Sequence, residues 1–150
     1  MKGRVVGHVA HALDRVAAAA GRDNPERLPQ HLLTGRRGED DAYFYLRRLG
    51  YVMVARNWRS PRHRGELDLV GWDGDVLCFI EVKTRSTRQV ATAEAAVDDE
   101  KRTDLGAVAR DYRRRVSGEP MSRFDLISVY YDTEDASPDI TLFKNAFPMP

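Results

Sequence analysis

The amino-acid sequence predicts an α/β domain in which helices flank a mixed β-sheet. Within residues 32–150, two segments carry apolar residues at helical spacing, and several short segments alternate apolar and polar residues as strands do. An Asp73-Gly74 pair joins two of the alternating segments, which is a strong local signal for a β-hairpin. The expected order is helix, three strands, helix and strand, followed by a C-terminal edge strand.

The composition is typical of one globular domain. The chain has 150 residues, of which 42% are hydrophobic and 31% charged. No apolar run approaches the ~20 residues of a membrane span, and charged residues interrupt the N-terminus where a signal peptide needs an apolar core. We therefore expect a cytoplasmic protein that does not bind membranes. Cys78 is the single cysteine and is expected to be a buried thiol.

Residues 1–31 are expected to form a helical extension and linker ahead of a domain that spans residues 32–150. Apolar residues at helical spacing predict a helix from Val5 to Ala20, which Gly21 ends. The polar segment that follows, up to Pro29, is interpreted as the linker. No motif in this extension indicates a chemistry.

The first helix of the domain is expected to have Thr34 as its cap and to end at Gly50. Glu39 lies beside the apolar stripe of this helix, so its carboxylate should face the sheet or its edge. A glutamate near a helix N-terminus is also common because the helix dipole favours it. Position alone therefore favours a structural role for Glu39. A short strand over residues 51–55 follows.

The hairpin concentrates charged side chains on one of its faces. A turn centred on Asp73-Gly74 places Glu66 opposite Glu81, with Asp68 one diagonal away. Because strand side chains alternate between faces, these three carboxylates and Lys83 should project from the same side. Two carboxylates directly opposite each other are unfavourable in a purely structural sheet. We therefore expect a cation there, and a divalent metal ion is the simplest candidate.

The remaining elements complete the sheet and cover it. A second helix is expected from Val97 or Asp98 to Arg115. Strands are then expected from Arg123 to Tyr131 and from Ile140 to Phe147, with the second at an edge of the sheet.

Lys83 is an unusual cation in this chain, because only four of its 24 basic residues are lysines. Lysine can give up its proton in a protein site, whereas arginine stays charged. Taken alone, Glu81 and Lys83 would be interpreted as an exposed ion pair of little energetic value. With Asp68 on the neighbouring strand, the same residues indicate a site for metal-dependent phosphodiester cleavage, since carboxylate oxygens are the ligands that Mg²⁺ prefers.

Arginines cluster in the sequence on both sides of the hairpin, although the net charge of the chain is only +1. Such clusters can form a phosphate-binding rim or can simply be solvated surface, and composition does not choose between them. The candidate nucleic-acid contacts in these clusters are Arg36, Arg37, Arg64 and Arg85.

A split acidic motif runs from Gly65 to Leu69 and from Phe79 to Arg85. It resembles the motif of the PD-(D/E)xK nuclease superfamily and, more narrowly, that of the YraN-like bacterial family, which is similar in pattern to archaeal Holliday-junction resolvases. The resemblance covers about residues 32–147. Leu67 stands where the proline of the superfamily motif would be, a departure that many members share.

The resemblance implies a restriction-endonuclease-like core and an endonuclease that acts on DNA, including branched DNA, in repair or recombination. It implies that Asp68 and Glu81 bind Mg²⁺ or Mn²⁺ and that Lys83 is the catalytic lysine. Glu39 would join the site as a third metal ligand, and Lys101 would contact phosphate. A homodimer is expected by analogy, since a symmetric junction needs two cuts.

Two other functions stay open at this point. The chain could be a nucleic-acid-binding module on a nuclease fold that does not turn over substrate. It could also be an interaction protein whose acidic face pairs with its own arginines. The endonuclease is favoured because every motif position keeps a chemically competent residue.

Overall fold

The computed structural model describes residues 29–86, 97–133 and 135–149. The helix predicted from Val5 to Ala20, and all but the last three residues of the predicted extension, lie outside these ranges. The order of elements agrees with the sequence prediction. The helices and strands are α1 (Gln30–Arg48), β1 (Val52–Arg59), β2 (Glu66–Asp73), β3 (Val76–Arg85), α2 (Asp99–Arg113), β4 (Ser122–Tyr130) and β5 (Asp139–Phe147).

The five strands form one mixed sheet in the order β1-β2-β3-β4-β5. Neighbouring strands are antiparallel except for β3 and β4, which are parallel. A parallel pair needs a crossover connection, and α2 lies in the connection between β3 and β4. The predicted mixed sheet, with its last strand at an edge, is confirmed. Within the described part of the chain, neither helix combines the length and the apolarity that crossing a bilayer requires.

Both faces of the sheet are buried beneath helices. The face under α1 packs Leu46 against Leu69 and Ile80, and the face under α2 packs Leu105 against Phe79. Each such side chain contributes roughly 1.5–3 kcal/mol when it is fully buried. Cys78 is also fully buried in the face under α1, and burial raises the pKa of its thiol to about 12. These findings confirm it as a structural thiol.

Helix α1 begins earlier than the predicted cap. Pro29 precedes its first turn, and its carbonyl accepts hydrogen bonds from the N–H groups of Leu32 and Leu33. Thr34 lies inside the helix, where its hydroxyl donates to the carbonyl of Gln30 at 3.0 Å. The prediction of Thr34 as the cap is therefore wrong, because its hydroxyl bonds back to the preceding turn.

The β2–β3 hairpin has a register two residues away from the predicted one. Asp73 pairs with Val76, so the loop consists of Gly74 and Asp75. Gly74 has φ +59° and takes the first loop position, where a type II′ turn places glycine. The prediction that Glu66 lies opposite Glu81 is wrong. A shift of two residues keeps the alternation of faces, so Leu69, Cys78, Ile80 and Val82 share one core cluster as predicted. Leu67 departs from the prediction and packs in the cluster under α2.

Helix α1 lies close against β3 at Gly38. A Cβ atom at this position would lie 1.9 Å from Oγ1 and 2.9 Å from Cβ of Thr84. Only glycine allows this approach without displacing the threonine. The contact holds the neighbouring Glu39 near the edge of the sheet.

A buried polar network closes the opposite end of the hairpin. Asp125 of β4 is fully buried and accepts hydrogen bonds from Arg123 Nε at 2.8 Å, from the Asn145 N–H at 2.9 Å and from the Tyr51 hydroxyl at 3.3 Å. Arg123 also bonds to Asp73 at 2.6 Å. Hydrogen bonds from Lys144 and Arg123 lower the pKa of Asp73 to about 2. The network therefore ties the hairpin to β4 and β5.

Candidate active site

The charged side chains of the hairpin meet where β2 begins, β3 ends and α2 begins. Asp68 comes from β2, Glu81 and Lys83 come from β3, and Lys101 comes from the first turn of α2. A cleft of about 390 Å³ opens at this place. Its lining is formed by Gly65, Glu66, Asp68, Asp98, Glu100, Lys101, Asp104 and Leu105.

Asp68 is held against the neighbouring strand by a backbone hydrogen bond. Its Oδ2 accepts from the N–H of Val82 at 2.8 Å. The pairing of β2 with β3 ends at Leu69 and Ile80, and Asp68 and Glu81 are the next residues beyond this last pair. Burial, followed by the nearby Glu81 carboxylate, raises the pKa of Asp68 to about 8. Without a bound cation, the site therefore disfavours a second negative charge.

Glu81 is a buried carboxylate with two lysine partners. Only 3% of its side chain is exposed. Lys83 Nζ lies 3.0 Å from its Oε1, and Lys101 Nζ contacts the same oxygen. A buried carboxylate needs such compensation, because losing contact with water is costly for a charge. The pairing of Glu81 with Lys83 is thus not the exposed surface ion pair of the alternative interpretation.

Lys101 reaches Glu81 because α2 begins directly over the site. Asp98 caps the helix by accepting a hydrogen bond from the Lys101 N–H at 2.8 Å. In the sequence analysis Lys101 entered only through the resemblance, and its contact with Glu81 was missed. The rarity of lysine in this chain, which singled out Lys83, would have identified Lys101 as well.

Asn57 links the helix-borne glutamate to the hairpin. With its amide nitrogen turned towards them, Asn57 donates to Glu39 Oε2 and Glu66 Oε1, each at 3.1 Å. Its backbone has φ +49°, a conformation that asparagine tolerates better than most residues. Glu66 also pairs with Arg59. The sequence analysis missed this role of Asn57, since a bridge between distant residues leaves no local pattern.

The structure brings Glu39 towards the hairpin through Asn57 but shows no direct contact between Glu39 and Asp68 or Glu81 in the described part of the chain. Burial raises the pKa of Glu39, although the hydrogen bond from Asn57 opposes this shift. A partly buried carboxylate near two others adds to the local need for positive charge. The role of Glu39 as a third metal ligand stays a prediction.

The four arginines predicted to contact nucleic acid lie in different parts of the structure. Arg64 is exposed in the loop before β2, next to Gly65 of the cleft. Arg36 is exposed on α1, and Arg85 is the last residue of β3. Arg37 donates to the Ala136 carbonyl at 3.1 Å and lies over the ring of Tyr131 at 4.2 Å. Of these arginines, Arg64 is therefore the one beside a cleft residue.

The oxygen donors of the site suit a hard divalent cation. Hydrogen bonds and ion pairs among the described residues use Oδ2 of Asp68 and Oε1 of Glu81, which leaves the other oxygen of each carboxylate for a metal ion. Mg²⁺ is commonly held by one or two carboxylates together with water molecules. Within residues 29–86, 97–133 and 135–149, no group of three His, Cys, Asp or Glu side chains is arranged to hold a metal ion. The residues thus fit a site with two carboxylates rather than a closed cage.

The metal-free chain is expected to lose stability as the pH rises from about 4 to about 8. An aspartate in the unfolded chain titrates near 3.8, whereas folding raises the pKa of Asp68 to about 8. The folded chain therefore binds an extra proton in this window, and each increase in pH lowers the free energy of unfolding. Urea denaturation in EDTA at several pH values measures this slope, and Asp68→Asn should flatten it. A slope equal in both proteins would contradict the prediction.

Comparison with known proteins finds a family model and several relatives that match most of this chain. Residues 38–129 match the model of the uncharacterised protein family UPF0102. A UPF0102 protein of Koribacter versatilis (strain Ellin345) is 59% identical over 119 residues, which cover 79% of this chain and 82% of the relative. UPF0102 proteins of Solibacter usitatus and Clostridium kluyveri are 47% identical over 130 residues and 38% identical over 114 residues. These alignments cover 86% and 75% of this chain and 95% and 92% of the relatives.

The matched range contains all the charged residues that meet at the cleft and also Glu39. The family name carries no activity, so the chemistry of the site has to be argued from its residues. The extent of the match and the identity to these relatives show that the chain belongs to the UPF0102 family.

Proposed function

We propose that this chain is a divalent-metal-dependent endonuclease that hydrolyses phosphodiester bonds in DNA. The observation that carries the proposal is the pair of carboxylates Asp68 and Glu81 on adjacent strands. Lys83 lies beside Glu81, and Asp68 lines an open cleft. The mixed sheet with a helix on each face is compatible with a restriction-endonuclease-like core, and the acidic motif resembles that of the PD-(D/E)xK superfamily.

Asp68 and Glu81 would hold Mg²⁺ or Mn²⁺, and Glu39 would join the site through a water molecule. When bound, the metal ion would supply Lewis-acid polarisation of the phosphodiester and a lower pKa for water. Lys83 lies beside Glu81, where its ammonium group can stabilise charge that develops on the phosphate. A purely structural sheet would not favour a second carboxylate beside the buried Glu81, because each charge raises the cost of the other.

The cleft gives the substrate access to these groups. It opens between the start of β2 and the first turns of α2. Arg64 and Lys101 are the described candidate cations nearest to the cleft, and both can contact a DNA backbone irrespective of base sequence. Branched DNA is the proposed substrate class, and two cuts in a symmetric junction would need a homodimer.

A cleavage assay tests the proposal. Labelled linear, flapped and four-way DNA are incubated with the protein in Mg²⁺, Mn²⁺ or EDTA. We expect cleavage that EDTA abolishes and that Lys83→Met lowers by about 100-fold, the usual cost of losing one charge-stabilising group. Lys144→Met is the matched control, since Lys144 also pairs with a carboxylate, at 2.7 Å from Asp73, on the other end of the hairpin.

The same assay separates the competing functions. If the protein binds DNA in a salt-sensitive way but cleaves it with none of the metal ions, it is a nucleic-acid-binding module and not an endonuclease. Absence of both binding and cleavage would overturn the proposal and leave an interaction protein.

A further inference from the structure

The two lysines at Glu81 are not equivalent. Both ammonium groups contact the same carboxylate oxygen, so that one buried negative charge has two positive partners. Lys83 lies on the same strand as Glu81, two residues away, and the backbone holds it alongside. Lys101 arrives from a different element and is the more exposed of the two, at 41% against 23%.

Lys101 places its positive charge beside two neighbouring carboxylates that need a cation. Asp68 and Glu81 are side by side, and Lys101 lies close enough to lower the pKa of Asp68 as well. A divalent ion held by both carboxylates would supply the same compensation with twice the charge. The lysine and the ion would then compete for the same carboxylates.

We propose that Lys101 compensates the carboxylate pair of the metal-free chain and is displaced from Glu81 when a divalent cation binds. This inference rests on the proposed function, because it takes Asp68 and Glu81 as the metal ligands. Lys83 stays beside Glu81, since its backbone position is fixed. The ammonium group of Lys101 moves into the cleft, where it meets a substrate phosphate.

The structure leaves Lys101 room for this movement. Its side chain lines the cleft together with Gly65 and Leu105, and its backbone belongs to α2 rather than to the strand that carries Glu81. Lys83 continues to compensate Glu81 at 3.0 Å after Lys101 has left. Removing the charge at position 101 therefore leaves the buried carboxylate paired, and Lys101→Met is expected to fold.

Mn²⁺ binding, followed by the electron paramagnetic resonance signal of the free ion, tests the competition without reference to activity. We expect the Kd of Lys101→Met for Mn²⁺ to be roughly threefold to tenfold lower than that of the wild type. The reason is that the substitution removes one part-exposed charge that competes with the ion. Lys144→Met should bind Mn²⁺ as the wild type does. Asp68→Asn should lose the binding, and thermal melting confirms that each variant is folded.

Acetylation of lysine side chains, quantified by peptide mass spectrometry with and without Mg²⁺, tests the displacement itself. We expect Mg²⁺ to increase the reactivity of Lys101 severalfold and to leave that of Lys83 and Lys144 unchanged. A lysine that merely positions Glu81 would keep its reactivity or become more protected.

The outcomes distinguish the inference from the function on which it rests. Binding of Mn²⁺ that depends on Asp68 but is unchanged or weaker in Lys101→Met, or a reactivity of Lys101 that Mg²⁺ does not raise, would overturn the inference and leave the metal site intact. Binding that is absent from the wild type, or kept in Asp68→Asn, would overturn the metal site and the inference together.

Discussion

Asp68→Asn is expected to lower metal-dependent cleavage at least about 100-fold, the cost that removing one charge-stabilising group already carries. The substitution keeps the shape of the side chain, and the amide oxygen can still accept from the N–H of Val82. It removes the anionic oxygens that a hard cation requires. The rate is measured with excess Mg²⁺ on the substrate that the wild type cuts best.

Measuring the stability of Asp68→Asn shows whether a loss of cleavage comes from loss of the metal site or from loss of the fold. Burial and the Glu81 carboxylate penalise the ionised form of Asp68, so in EDTA at pH 8 or above the variant should be at least as stable as the wild type. Asp75→Asn is the matched control, because Asp75 is exposed in the loop of the same hairpin. An Asp68→Asn protein that is folded and fully active would show that Asp68 does not hold the metal.

Asp125→Ala is expected to lower the free energy of unfolding by about 3–5 kcal/mol, the usual effect of removing one partner of a buried ion pair. Asp125 is fully buried, and its loss leaves Arg123 without its partner in β4. The N–H of Asn145 loses its acceptor as well. Urea denaturation followed by circular dichroism gives the value.

The comparison variant for this experiment is Asp139→Ala. Asp139 is an exposed acid at the start of β5, where surface substitutions usually change stability by less than about 0.5 kcal/mol. A loss below about 1 kcal/mol in Asp125→Ala would mean that the network contributes little net stability.

The faces of the hairpin could be predicted from sequence because strand side chains have a period of two. Asp68, Glu81 and Lys83 belong to one side whether the loop is Asp73-Gly74 or Gly74-Asp75. The choice between these loops depends on whether glycine takes the first or the second loop position, and both are common. The register that leaves Asp68 and Glu81 just beyond the Leu69–Ile80 pair therefore needed the structure.

Contacts between segments that are far apart in the chain are harder to predict from the sequence than the faces of a strand. The bridge made by Asn57 joins α1 to β2, and nothing near position 57 in the sequence reveals its partners. The Arg123–Asp125 pair could have been found from the sequence more easily than the Asn57 bridge. Two charged residues at a spacing of two lie on the same face of a strand, and on a strand that is otherwise buried both need partners on that face. That reasoning would have directed attention to Asp73 and Tyr51.

The strands of this sheet lie in the same order as they occur in the chain. Each strand can therefore pair at a free edge as folding proceeds, and none has to insert between two strands that are already joined. Contacts between neighbours in sequence favour rapid folding, and the two acids of the site are brought together by the shortest connection of all, a two-residue loop. The last strand in the chain is β5, and its Asn145 N–H donates to Asp125. The hairpin that carries the two acids can thus form early in folding, and β5 then stabilises the sheet that supports the site.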